Sequence, residues 1–171
     1  MGAMQYLLRG RHLAMPLLLL STACVRPATD SRASGSWTYE VDAPAEAACR
    51  TLVERYVRAF EAADIDALTR LLTDDVVMEM PPILNWFRGR HDYGQFIARS
   101  YSMRGRDWRM IPMSANGQPA CVAYTRAADG VYRLHTLQVF TVTPAGISRN
   151  TVFQDDAVFA IFALPPTLPD R

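Results

Sequence analysis

The chain has 171 residues and a formal net charge of +1, with half of its residues hydrophobic and 20% charged. That length suits one domain with a real core and is short for two. The near-zero charge excludes a global field that would draw the chain toward nucleic acid or acidic lipid.

Residues 1–23 open with Arg9, Arg11 and His12, continue with the apolar run Leu13 to Leu20, and end in Ser21-Thr22-Ala23 before Cys24. This is the order of an export signal, and equally of an upstream stretch with no targeting role, with Met4 and Met15 as alternative starts. The first reading gives an exported protein, or a lipoprotein if Cys24 is lipidated, although Leu20 stands one place too far from the cysteine for the usual pattern. Membrane attachment would come only by that lipid, because an apolar run broken by Pro16 is too short to span a bilayer. The second reading gives a cytoplasmic protein. Residues 24–43 are rich in Ser, Ala, Pro and Asp and read as a flexible linker.

Pro44 suits the first turn of a helix whose apolar stripe is Cys49, Leu52, Val53, Tyr56, Val57 and Phe60. Asp64 caps a short second helix that ends at Thr73-Asp74-Asp75. Val76 to Met80 reads as a strand stopped by Pro81-Pro82, and a loop follows through Trp86-Phe87-Arg88-Gly89. A third helix begins at Asp92 and turns Tyr93, Phe96, Ile97 and Tyr101 inward. Then come four strands, Trp108 to Met113, Gln118 to Arg126, Val131 to Thr143 and Ile147 to Gln154. They are joined by turns at Asn116-Gly117, Asp129-Gly130 and Pro144-Ala145-Gly146. A short amphipathic tail closes at Pro165-Pro166.

Helices followed by an antiparallel meander give an α+β fold with about three helices on one face of the sheet. A strand as long as Val131 to Thr143 must bend. The bent sheet and its helices are expected to form a cone over residues 44–168, enclosing an apolar ligand pocket. Arg104, Arg106 and Arg109 are the nearest thing to a basic cluster and read as a solvated loop. Cys24, Cys49 and Cys121 fit no zinc or redox spacing, and the last two read as buried small hydrophobes.

The order of these elements, with Glu79-Met80-Pro81-Pro82, Trp86-Phe87-Arg88-Gly89, Ala115 to Ala120, Leu137-Gln138-Val139, Phe153-Gln154-Asp155 and Phe162 to Pro165, resembles the nuclear-transport-factor-2-like fold in its SnoaL-like, ketosteroid-isomerase-like branch. It is most similar to the carboxy-terminal accessory domain of actinobacterial extracytoplasmic-function sigma factors. About fifty residues precede the similarity, and they hold no basic recognition helix. The expectation is therefore a stand-alone accessory domain without polymerase- or DNA-binding regions, making no direct contact with nucleic acid. The resemblance also implies a homodimer through the convex face of the sheet. Enzymes of this fold, among them isomerases, polyketide cyclases and epoxide hydrolases, use carboxylates in an apolar cone, where desolvation raises the acid's pKa.

Each polar candidate has two readings. Asp155 resembles in position the aspartate of the epoxide-hydrolase relatives, and it is also a natural N-cap for a helix starting at Ala157. Glu79 is a pocket acid or a rim residue, and Tyr56 a pocket donor or a packed core tyrosine. His135 and Gln138 have opposite parity in one strand, so one of them is expected to face the cavity, and the family motif favours Gln138. Trp86, Phe87, Trp108, Met80 and Phe153 are the candidate ligand-binding walls. No nucleotide fingerprint, nucleophile–base pair or metal spacing is present, so neither cofactor nor metal is expected. Two functions remain open: a binder of a small apolar molecule, or a cofactor-independent isomerase, cyclase or hydrolase using Asp155 with Glu79 or Tyr56.

Overall fold

Helix α1 (Ala43–Glu61) is built on an apolar stripe. Val53, Tyr56, Val57 and Phe60 are buried, and Arg50, Arg55, Arg58 and Glu61 face solvent. The structure is a computed structural model that describes residues 43–83 and 85–169. The export signal, the lipidated Cys24 and almost all of the linker lie outside the described residues. Helix α2 (Ile65–Thr69) is capped as expected, with the Asp64 carboxylate accepting from the Ala67 amide at 2.8 Å.

Strand β1 (Leu72–Glu79) starts earlier than expected. Leu72 pairs with Ile147, so the segment through Asp75 belongs to the sheet and does not close a helix. The expected loop at Trp86 is a short strand, β2 (Trp86–Arg88), antiparallel to β1. Helix α3 (Arg90–Arg104) buries Tyr93, Ile97 and Tyr101.

The meander follows as β3 (Trp108–Ala115), β4 (Gln118–Arg126), β5 (Tyr132–Thr143) and β6 (Gly146–Phe153). Asn116 and Gly117 both have positive φ, 52° and 76°, as a two-residue primed turn requires. Helix α4 (Asp156–Ile161) and β7 (Thr167–Leu168), paired with β5, end the described chain.

Across the curved sheet the order is β2-β1-β6-β5-β4-β3. One pairing corrects the all-antiparallel expectation: β1 runs parallel to β6. Parallel neighbours need a long crossover, and α3 with the first three meander strands supplies it. Gly146 makes the junction. Its φ is +134°, and a Cβ there would lie 2.6 Å from the Leu71 carbonyl oxygen, while the next amide, Ile147, donates to that same oxygen at 2.9 Å.

The sheet carries a core on each face. The inner one packs Tyr56, Phe60, Tyr93, Met78, Phe140 and Ile147 beneath α1 to α3. The outer one packs Val122, Tyr124, Leu137 and Phe159. Phe159 comes from α4, so the helices are not confined to one face as expected. Cys49 and Cys121 are both buried, though Cys49 is disulfide-bonded and Cys121 a thiol.

Candidate functional site

Four elements send polar side chains into the inner core. Tyr56 comes from α1, Tyr93 from α3, Gln138 from β5 and Asn150 from β6, and all four are buried. Gln138 and Asn150 reach this face by strand parity, because Gln138 pairs with Val152 and Asn150 with Met78, both inner residues.

The hydrogen bonds among them have one direction. Tyr56 donates to Gln138 Oε1 at 3.1 Å, so the 2.8 Å contact between the tyrosines has Tyr93 donating to Tyr56. Asn150 Nδ2 donates to the Tyr93 hydroxyl at 2.7 Å and to Gln138 Oε1 at 3.0 Å. Gln138 Nε2 donates to Thr136 Oγ1 at 3.4 Å. Burial raises both tyrosines above the usual phenol range, so they stay protonated at neutral pH; at Tyr93 the hydrogen bond donated by Asn150 pulls partly the other way. One atom is left over. Asn150 Oδ1 is buried and finds no hydrogen-bond partner.

This network borders a cavity of about 50 Å³, whose walls also include Met78, Met80, Trp108, His135 and Gln154. Met80, Val152 and Gln154 are shared with a more open groove of about 400 Å³, lined further out by Pro81, Pro82, Ile83, Asp155 and Asp156. The inner space is smaller and more polar than the expected apolar pocket, because Tyr56, Tyr93, Phe140 and Met78 fill the heart of the cone.

The expectation that only one of His135 and Gln138 faces inward fails. Ala123 pairs with Thr136 but the next residue, Tyr124, pairs with Leu134, so His135 is the extra residue of a β-bulge. The bulge resets parity and puts both side chains on the cavity wall. His135 stacks edge-on against Trp108 at 5.3 Å and accepts from Gln154 Nε2 at 3.2 Å. Burial, then the positive charge of Arg104, lowers its pKa to about 4, which keeps the imidazole neutral.

The other sequence candidates divide by face. Met80, Trp108 and Gln138 line the cavity, and Tyr56 stands behind Gln138 in the network. Phe87 points inward but packs against Phe96, with ring centres 4.7 Å apart. Trp86 pairs with Glu79 on the outer face and is 66% exposed. Glu79 alternates with the inward Met78 and Met80, and it is held outside by Arg149 at 3.0 Å and by Thr151 Oγ1 at 3.0 Å. Phe153 alternates with Val152 and Gln154 and packs in the outer core. Asp155 caps α4, accepting from the Ala157 amide at 2.7 Å, with its side chain at the rim of the groove.

Sequence reasoning missed Tyr93 as a polar group and did not single out Asn150, Gln154 or Thr136 as site residues. Asn150 had a signal, since asparagine is depleted inside strands and tends to be there for its side chain. Two further grooves, of about 620 and 430 Å³, flank the first half of α1. Neither is lined by Asn150 or Thr73, the residues whose side-chain oxygens are buried without partners among the described residues. Among the described residues no three His, Cys, Asp or Glu side chains gather as a metal site, and no helix is long and apolar enough to cross a membrane.

Residues 53–160 match the sequence family described as the SnoaL-like domain. Over 147 residues the chain is 36% identical to the extracytoplasmic-function RNA polymerase sigma factor SigG of two Mycobacterium tuberculosis strains, covering 84% of this chain and 37% of theirs. The chain thus spans little more than a third of those curated relatives. Among solved structures, a putative ketosteroid isomerase from Kribbella flavida is similar at 21% identity, with a TM-score of 0.51 over 63% of this chain and 77% of that one. SalBIII, an epoxide hydrolase/cyclase-like enzyme with a role in pyran ring formation in salinomycin, is similar at 22% identity. Its TM-score is 0.51, over 66% of this chain and 94% of that one. At these identities the two structures establish the shared fold.

Proposed function

The chain belongs to the SnoaL-like domain family, and from that premise we propose that it is a binding domain rather than an enzyme. It takes a small apolar molecule at the mouth of the cone and serves an accessory, regulatory role like that suggested by its similarity to a sigma factor. Any coupling to polymerase is part of this proposal.

The observation that carries the reading is the chemistry of the inner wall. Its polar residues are serine, threonine, amides and a neutral imidazole, and it has no aspartate or glutamate. General acid–base catalysis needs a group that titrates near the working pH within about 3 Å of the moving proton, and His135 on this wall, lowered to about 4, is a weak base. Asp155, at the rim, already accepts from the amide that starts α4. The groove of about 400 Å³ falls within the range that small-ligand sites occupy. Native mass spectrometry of the full chain, gently desolvated, is expected to show a co-purifying small molecule that leaves on activation.

Asp155 also supports a second reading, because its side chain borders the groove. If Asp155→Asn abolished conversion of a bound molecule while leaving its affinity intact, the chain would be an enzyme and the binding proposal would fall.

A further inference from the structure

We propose that the ligand of this site carries a neutral hydroxyl group and enters head-first, donating its proton to Asn150 Oδ1. The inference rests on the binding reading above and deepens it to a ligand class: apolar alcohols, in preference to ketones, aldehydes or carboxylates on the same skeleton.

Donors and acceptors are unevenly matched at the closed end of the cone. Both Nδ2 hydrogens of Asn150 are committed, to Tyr93 and to Gln138 Oε1. The amide cannot turn over by itself, since that would set Oδ1 against Gln138 Oε1, two acceptors face to face. Tyr56 and Tyr93 each give their one proton inside the network. The network therefore leaves one acceptor with no partner, Asn150 Oδ1 on a residue 1% exposed, together with a second Gln138 Nε2 hydrogen beyond the one given to Thr136. A buried acceptor left unmade is costly, so the site favours whatever brings it a donor.

Size and charge narrow the donor. A cavity of about 50 Å³ admits a head of about two heavy atoms, given that one water occupies about 30 Å³ in the liquid. The body of the ligand must lie in the wider groove between Met80 and Val152, which the Pro81–Ile83 segment borders. A cationic amine head would meet no carboxylate on the inner wall and would lose its hydration. A carbonyl or carboxylate oxygen can accept from Gln138 Nε2 but leaves Asn150 Oδ1 without its donor, whereas a hydroxyl can serve both. A hydroxyl donates without charge, and it fits.

The test uses matched probes on three skeletons with the intact chain: decan-1-ol and decanal, menthol and menthone, 5α-androstan-17β-ol and 5α-androstan-17-one. Calorimetric titration gives the affinities, and NMR of the Asn150 side-chain amide reports occupancy. The expected result is an alcohol at least tenfold tighter than its carbonyl partner on every skeleton that binds, with the Asn150 amide signal displaced. Asn150→Leu, checked for folding by circular dichroism, is expected to reduce that preference to within twofold. The wild-type ratio stands as a test even if the variant fails to fold. Carbonyl probes binding as tightly as the alcohols, or more tightly as they would if both amides turned over together, overturn the head-group inference and leave the binding reading intact. No binding of any probe in the millimolar range overturns both.

Discussion

Removing one hydroxyl from each buried tyrosine should give similar and coupled losses. Tyr93→Phe deletes two bonds, of 2.8 and 2.7 Å; Tyr56 keeps Gln138 Oε1, but one of the two Asn150 Nδ2 hydrogens loses its acceptor in a buried place. That stranded amide hydrogen brings its cost to about 2–3 kcal/mol. Tyr56→Phe deletes bonds to Tyr93 and Gln138, and it leaves the Tyr93 proton without an acceptor in a fully buried place. That stranded donor brings the cost to about 2–3 kcal/mol. The double variant removes the Tyr93 donor and strands only the Asn150 hydrogen, so it should cost less than the sum, with a coupling of about 1 kcal/mol. Urea unfolding of the four proteins measures all three quantities, provided the m-values agree. Additive losses, or losses below about 0.5 kcal/mol in both single variants, would mean that the tyrosines pack independently and that no directed network exists.

Other consequences are smaller and separable. The folded pKa of His135, about 4, lies below the ordinary histidine value of about 6.5, so folding favours the neutral ring. Its contribution to stability is whole above about pH 6.5 and is lost as the pH falls toward 4, where the unfolded chain takes up a proton that the folded chain refuses. Urea midpoints measured from pH 7 to 4 should fall less steeply in His135→Gln, and an unchanged slope would contradict the burial argument. Asp155→Ala should cost about 1 kcal/mol by uncapping α4, seen as faster hydrogen exchange from Ala157 onward, and Asp155→Asn should restore protection because asparagine caps as well. Gly146→Ala should cost more than about 2 kcal/mol, since its Cβ would press on the Leu71 carbonyl in a conformation alanine avoids. An unchanged melting temperature would mean that β1 does not start against that turn.

What the sequence made legible was local. Asn116-Gly117 and Asp129-Gly130 marked two hairpins, and β4 runs between them with the bounds expected. The Asp64 cap and the inward stripe of α1 were equally readable, because each depends on neighbours a few residues away. Features set by pairing between distant segments were not. The parallel β1–β6 ladder, the three-residue β2 and the bulge at His135 exist only once strands have chosen partners, and the bulge alone reversed the parity argument for that strand. Parity did contain the answer for Glu79, which alternates with Met78 and Met80. The inner cavity's size depends on how Tyr56, Tyr93 and Phe140 pack together, which spacing along the chain does not encode.

The central claim is that ligand binds at the mouth of the cone and not in the larger grooves beside α1. Amide and methyl NMR of the labelled chain, titrated with the alcohol probe that binds best, tests it directly. The account predicts shifts concentrated at Met80, Val152, Gln154 and the Asn150 side-chain amide. Shifts concentrated instead at Leu52 and Val142, or at Val53 and Met113, would place the ligand beside α1 and contradict it.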